Sequence, residues 1–445
     1  MKVIRQKSHT LNIDKKVSEH TKYLIFTGIA GYFIILSFIF NTPQEIFNGQ
    51  IKILLSPANL FTDYFALTDA GVTFFNSGLM ILHAMAIIRI VHAKINGPII
   101  AAVLTIAGFS FFGKNLYNSM PIVIGAFLYA KVTHVPAKNS LLAALFGTAL
   151  GPLVSEISFN IGLSIPIGIG TGWVSGIIAG FLIPPLSDSF IKFTKGFSLY
   201  NIGFTSGIIG TVFSSLLRGF GVDIEPVILL SSGNNIPAKI ILFTLFLALL
   251  LIGLFLNGWT FRGYKNLIKE TGQLSTDFVD ISGFSISLIN VSILGLLGIG
   301  YALVLGGDLN GPVIGGILTL AGFGSFGKHP KNVIPILIGV TGLGLISSYD
   351  ISSTSVITVG LFGTTLAPLA GHYGNKVGII AGALHLLVVM NTSFLHGGVN
   401  LYNNGFAGGL VAATLVPLLE AIKYHKEKQR QWKNPVNPAD EVEVD

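Results

Sequence analysis

The chain contains no cysteine, so disulfides, thiolate metal sites and cysteine nucleophiles are excluded from its chemistry. Charge is scarce: Asp, Glu, Lys and Arg make up 11% of the residues, against roughly 25% in ordinary soluble domains. No Gly-x-x-x-x-Gly-Lys-Ser/Thr motif occurs, so the 54 glycines do not signal a phosphate loop; close helix packing in a bilayer accounts for them better. No histidine spacing suits a zinc or haem site, and no cofactor is expected. The net charge of +7 does not mark a nucleic-acid partner, because the basic residues lie in the tails and between apolar blocks. About twenty polar residues precede the first apolar block and no small-residue cleavage site follows Ile39, so the first helix is expected to be retained.

Apolar residues are present in long runs. They form 51% of the chain, and mean hydropathy is +0.72. Stretches such as Tyr23–Ile39, Ile240–Leu256 and Val291–Leu305 carry almost no ionisable side chain. A helix needs roughly 20 such residues to cross the hydrocarbon core. The expected fold is therefore an all-α polytopic integral membrane protein, with the lipid bilayer as its first partner.

The sequence also repeats itself. Asn96-Gly97-Pro98 returns as Asn310-Gly311-Pro312, an offset of 214, and 17 of 30 positions are identical from Asn96–Gly125 to Asn310–Gly339. Ala107-Gly108-Phe109 and Phe112-Gly113-Lys114 return as Ala321-Gly322-Phe323 and Phe326-Gly327-Lys328. The register extends upstream through Thr62-Asp63 and Asn76, matched by Thr276-Asp277 and Asn290. Downstream, after small gaps, Leu145-Phe146-Gly147-Thr148 matches Leu361-Phe362-Gly363-Thr364, and Leu199-Tyr200-Asn201 matches Leu401-Tyr402-Asn403. Shared membrane composition would align scattered Leu and Ile, not Asn, Lys, Pro and Gly in collinear order.

Seven apolar segments fall in each half, near 21–41, 70–93, 97–113, 119–135, 139–158, 163–186 and 203–219, then near 237–257, 283–305, 311–327, 333–349, 354–371, 377–392 and 405–421. The layout reads as a basic tail over 1–20, membrane repeats over 21–220 and 237–421, a connecting loop over 221–236 and a charged tail over 422–445. An odd number of crossings per repeat inserts the copies in opposite orientations. With both termini cytoplasmic in a cell membrane, eleven Lys and Arg lie in the tails, twelve in inner loops and four in outer loops, as the positive-inside rule asks. Equivalent loops exchange character: Lys131 and Lys138 face only Asp350, and Arg89 and Lys94 face Asp308. The third and fourth segments of each half, about 17 residues each and Gly-rich, are open to two readings, crossing or re-entrant; a re-entrant pair preserves the inversion.

Inverted repeats are a recurrent plan of secondary transporters, with a midplane site between the copies formed by interrupted helices. The matched polar residues in such segments are the path candidates. Asn96 and Asn310 open the short third segments. Thr105 and Thr319 lie within them. Lys114 and Lys328 end them, interfacial if the segments cross and drawn towards the midplane if they are re-entrant tips, where they would attract an anion. Asn76 and Asn290 lie inside apolar segments and need partners there, as helix glue or as lining of a solute path. Tyr200, Asn201, Tyr402 and Asn403 precede the last segment of each half, as caps or as a polar loop dipping to the site. Thr62-Asp63 and Thr276-Asp277 suit capped interfacial stretches. His83 and His385 lie in apolar segments without a counterpart in the other half, and Glu156 aligns with His372.

The duplicated Asn-Gly-Pro, Ala-Gly-Phe, Phe-Gly-Lys and Leu-Tyr-Asn-x-Gly-Phe blocks resemble an uncharacterised family of bacterial membrane proteins, domain of unknown function fifteen seventy-six, over roughly residues 20–420. That resemblance brings no activity. The Leu-Tyr-Asn-x-Gly-Phe stretches are also faintly similar to the Gly-Tyr-Asn-Gly stretches of urea transporters, which have two inverted halves. The other motif of that family, Leu-Pro-x-x-Thr-x-Pro-Phe, is absent, so this likeness bears on architecture alone. The expected function is a small-solute transporter or channel with its path between the halves. A membrane-embedded enzyme acting on lipid or isoprenoid substrates and a membrane scaffold are the alternatives; a homo-oligomer is compatible with any of these.

Overall fold

The computed structural model describes residues 17–224, 227–233 and 235–433. The rest of the two tails, and residues 225, 226 and 234 of the connecting loop, lie outside the described residues. In the first half the helices are α1 (Glu19–Phe40), α2 (Pro43–Leu55), α3 (Tyr64–Leu67), α4 (Ala70–Ile90), α5 (Gly97–Phe109), α6 (Leu116–Val132), α7 (Leu141–Gly147), α8 (Gly151–Phe159), α9 (Ile165–Thr194) and α10 (Asn201–Gly219). The second half repeats the order with α11 (Asn235–Leu256), α12 (Tyr264–Leu267), α13 (Phe278–Ser282), α14 (Phe284–Val304), α15 (Gly311–Gly322), α16 (Pro330–Ile346), α17 (Thr354–Gly363), α18 (Ala367–Tyr373), α19 (Asn375–Val389) and α20 (Asn403–Lys433). The protein is thus an all-α polytopic membrane protein of two repeats. Among the described residues, eight helical spans are long and apolar enough to cross a membrane; two of these are the broken spans Ala137–Phe159 and Thr354–Tyr373.

Position in the fold follows from which faces are apolar. α9 over its first two-thirds and α11 are strongly apolar, and Ile165, Ile167, Val174, Ile236, Ile240 and Phe243 stay exposed on them; these are lipid-facing surfaces of the kind a soluble protein rarely leaves open. All twelve residues of α15 and twelve of the thirteen of α5 are buried, which puts these two short helices at the centre. Each starts with an asparagine cap, Asn96 Oδ1 accepting from Ile99 N at 3.1 Å and Asn310 Oδ1 from Val313 N at 3.3 Å, followed by proline in the first turn.

Side-chain size sets how α5 and α15 meet. A Cβ added to Gly108 would lie 2.7 Å from Gly315 O, and one added to Gly322 would lie 3.2 Å from Ala101 O. The end of each helix therefore touches the start of the other, and the two run antiparallel. Because they are equivalent elements of the two repeats, the dyad relating them lies across the helices, in the plane of the membrane. Thr105 and Thr319 fall near the middle of this crossing.

The helix pair α5–α6 enters and leaves on one side. Its tip, Gly113 to Asn115, is fully buried, and Asn115 Nδ2 donates to Ile53 O of α2 at 3.0 Å. The tip of α15–α16 is likewise covered, His329 Nε2 lying 2.9 Å from Glu270 O. Covered tips of this kind agree with the re-entrant reading of the third and fourth segments. Lys114 and Lys328 are consequently not interfacial: both are fully buried, because α2 and the chain around α12 close over the tips.

Candidate functional site: a dyad of buried lysines and tyrosines

The two broken spans create the site. Ala137–Phe159 is interrupted at Thr148–Leu150 and Thr354–Tyr373 at Thr364–Leu366, each by one 3-10 turn near its midpoint. The loop before α10 enters the second break, where Leu199 N donates to Thr365 O at 3.1 Å. The loop before α20 enters the first, where Leu401 N donates to Ala149 O at 3.0 Å. This exchange carries Tyr200 and Tyr402 to the dyad, with ring centroids 5.1 Å apart. Their neighbours are reciprocal: Tyr200 lies 4.7 Å from Phe323, and Tyr402 lies 4.7 Å from Phe109. The starts of α10 and α20 meet here, since a Cβ on Gly405 would lie 3.0 Å from Gly203 Cα. Two positive helix ends thus converge at the dyad, and no side chain caps α10.

The lysines flank this aromatic cluster. Lys114 Nζ donates to Thr148 Oγ1 at 2.7 Å and lies 5.1 Å from the Phe109 ring. Lys328 Nζ donates to Thr364 Oγ1 at 2.7 Å and to Tyr200 Oη at 2.5 Å, and lies 4.4 Å from the Tyr200 ring. The symmetric bond, Lys114 to Tyr402, is not made. Tyr402 Oη faces Thr105, but neither hydroxyl makes a well-formed hydrogen bond, and Thr319 Oγ1 has none. Among the described residues the ion pairs are Lys22 with Glu19 and Lys195 with Glu420. Neither central lysine therefore has a carboxylate against it.

A cavity of about 1020 Å³ leads to the dyad. Tyr200, Tyr402, Phe146 and Phe323 form its floor, while Val135, Lys192, Lys195, Ser275 and Asp277 line its walls and mouth. It opens on the face that carries Lys131 and Lys138. The equivalent route from the other face is covered. Asp63, the counterpart of Asp277, is fully buried, and its Oδ2 accepts from Ser231 N at 3.0 Å and from Ser231 Oγ at 2.6 Å. Leu229 N donates to Phe61 O at 2.9 Å in the same strap. Both aspartates cap their own short helix and reach the start of the opposite re-entrant helix: Asp277 accepts from Gly97 N at 3.0 Å, and Asp63 accepts from the Gly311 amide. Burial pushes both carboxyls above the usual carboxylate range, against the pull of these donors.

The other candidates sort by contact. Asn76 Nδ2 donates to Ser110 O and Lys114 O at 2.7 and 2.9 Å, and Asn290 Nδ2 to Gly324 O and Lys328 O at 2.6 and 2.7 Å. They clamp the re-entrant tips onto α4 and α14 and do not line the cavity. Asn96 and Asn310 are helix caps. Asn201 Nδ2 donates to Ser187 O at 2.8 Å, and Asn201 lines the cavity. Asn403 Oδ1 lies 3.0 Å from His396 Nε2 and 3.1 Å from Thr392 Oγ1, away from the cavity. His385 pairs with Asn404 at 3.0 Å. The sequence alone does not single out Thr148 and Thr364, although their place in the matched Leu-Phe-Gly-Thr blocks is a usable signal, and it points to Asp63 and Asp277 chiefly as caps of interfacial stretches.

Comparison with known families follows the same duplication. A single family model matches the chain twice, over 42–219 and 256–421. The chain belongs to the family described as protein of unknown function DUF1576. Membership carries no activity with it. No curated protein and no solved structure matches the chain.

Proposed function

We propose that this protein is a small-solute transporter working by alternating access, in the state open towards the face bearing Lys131, Lys138, Lys192 and Lys195. The basic residues of that face favour a cytoplasmic position for it by the positive-inside rule. The observation that carries the reading is an asymmetry between equivalent routes. Ser275 is exposed and lines the cavity, whereas its counterpart at the offset of 214, Phe61, lies beneath the strap around Leu229 and Ser231. Two repeats of related sequence in unlike conformations exchange them at little net cost, which opens the dyad to one side and then the other. The Lys328–Tyr200 bond, made here while Lys114–Tyr402 is open, is the local form of the same asymmetry.

The test uses the absence of native cysteine. Ser275→Cys protein in proteoliposomes is assayed for uptake across a solute panel before and after reaction with a bulky impermeant maleimide. Flux of at least one solute, blocked only by reagent on the vestibule side, supports the reading. Absence of flux for every solute from protein that reacts at position 275, or flux that full modification leaves unchanged, overturns it.

A further inference from the structure

We propose that the transported solute is a small monovalent anion, bound at the dyad by Lys114 Nζ, Tyr402 Oη and Thr105 Oγ1. This rests on the transport reading above and adds the chemistry of its cargo. An ammonium taken out of water is costly to leave without a countercharge. Lys114 is fully buried and, among the described residues, has one hydrogen bond, to Thr148 Oγ1, and no carboxylate in ion-pair contact. Thr148 Oγ1 itself donates to Leu145 O at 2.6 Å, so it serves Lys114 only as a dipole. Two N–H groups of Lys114 are left over. The hydroxyls of Tyr402 and Thr105 are buried beside the same aromatic cluster and face each other without a well-formed hydrogen bond, so an acceptor entering between them and Lys114 would take both. A set of donors lacking acceptors, backed by the converging starts of α10 and α20, is complementary to a negative charge. A cation would meet the positive helix ends and two lysines; a neutral solute would leave the ammonium uncompensated.

The route fits a small ion. Tyr402 belongs to the cavity floor with its hydroxyl buried behind the surface of the vestibule, so a solute meets the side chain first and reaches the hydroxyl and Lys114 only when the floor parts. The two tyrosine rings, 5.1 Å apart, close the path to anything bulky. Lys328 is occupied in this state by Tyr200 and Thr364. It becomes the equivalent ligand when the halves exchange conformations, which hands the anion across the dyad.

The experiment is calorimetric titration of the full chain in lipid nanodiscs with sodium nitrate and sodium acetate, at ionic strength held constant with gluconate. Urea serves as a planar neutral control of similar size. Binding of nitrate or acetate but not urea is expected, with a loss of about tenfold in Tyr402→Phe, the effect of one hydrogen bond to a charged group. Lys114→Gln abolishes binding and Lys114→Arg retains it. Should Lys114→Gln fail to fold, Tyr402→Phe and Lys114→Arg carry the comparison. The proposal is overturned by urea binding in place of the anions, by no binding of either anion, or by Tyr402→Phe binding them as the unaltered chain does. Thiol labelling at Ser275→Cys reports separately on the vestibule. Labelling and flux without anion binding leave the transport reading standing and remove the cargo, whereas anion binding with no flux does the reverse.

Discussion

Removing one hydroxyl should change which side of the protein is open. Tyr200→Phe deletes the 2.5 Å bond between the phenol and Lys328 Nζ and leaves the ring in place over the ammonium. A hydrogen bond to a charged group contributes about 1.5–3 kcal/mol. Lys328 keeps Thr364 at 2.7 Å, so the lower half of that range applies, and about 1.5–2 kcal/mol corresponds to roughly a tenfold to thirtyfold shift of an equilibrium constant. The loss falls on the state described here and not on its exchanged counterpart, in which Lys114 pairs with Tyr402. Tyr200→Phe therefore favours opening of the strapped face, and Tyr402→Phe, whose hydroxyl makes no well-formed bond here, opposes it. The assay is the rate of reaction of impermeant maleimide with Ser275→Cys and with Phe61→Cys in each background. Tyr200→Phe should slow labelling at 275 and raise it at 61 by up to about thirtyfold; Tyr402→Phe should suppress labelling at 61. Equal effects of the two substitutions, or no effect of either, would refute the latch and the exchange of conformations it represents.

Further consequences are open to measurement. Gly108→Ala places a Cβ 2.7 Å from a backbone oxygen of α15 and should destabilise the chain by about 1–3 kcal/mol in detergent unfolding, whereas Gly342→Ala, with nothing within 4 Å, should be neutral or stabilise by up to about 1 kcal/mol. Asn76→Ala and Asn290→Ala each orphan two buried carbonyls, and each should cost about 2–3 kcal/mol by the same measurement. Ser231→Ala removes the side-chain half of the strap's hold on Asp63 and should raise maleimide reaction at Phe61→Cys severalfold. Lys131→Cys and Asp350→Cys, both exposed, should label from opposite sides of sealed membranes; labelling from one side would contradict the antiparallel dyad.

The fourteen segments were legible because the sequence states them twice. Asn96 and Asn310 start short helices in both halves, and a shared offset fixes register where hydropathy alone drifts. The broken spans carry a local signal in the matched Pro152 and Pro368, which have no N–H to give the carbonyls of Thr148 and Thr364 four residues earlier. Nothing local shows what fills the first interruption, since that is the loop before α20, which is remote in sequence. Lysine depth was illegible for a similar reason. A lysine at a helix end reaches water by default, and only the covering of the tip by α2, through Asn115 and Ile53, denies Lys114 that route.

The asymmetry could not have been read from the repeat at all, because a repeat carries only what the halves share. The residues that distinguish the two faces are those without a counterpart. Ser231 belongs to the connecting loop, which occurs once, and it holds Asp63 while Asp277 faces the open vestibule. Thr365 of the opposite half, which accepts from Tyr200 N at 2.9 Å, aligns with Ala149, and Tyr402 N donates instead to Asn400 Oδ1 of its own loop at 3.0 Å. Both differences favour the same state: one straps the far face shut, and the other fixes Tyr200 where its hydroxyl meets Lys328. A symmetric pair of halves would populate both openings equally. On the transport reading proposed above, a hydroxyl in one break, a methyl in the other, and Ser231 in the strap bias the chain towards the opening described here.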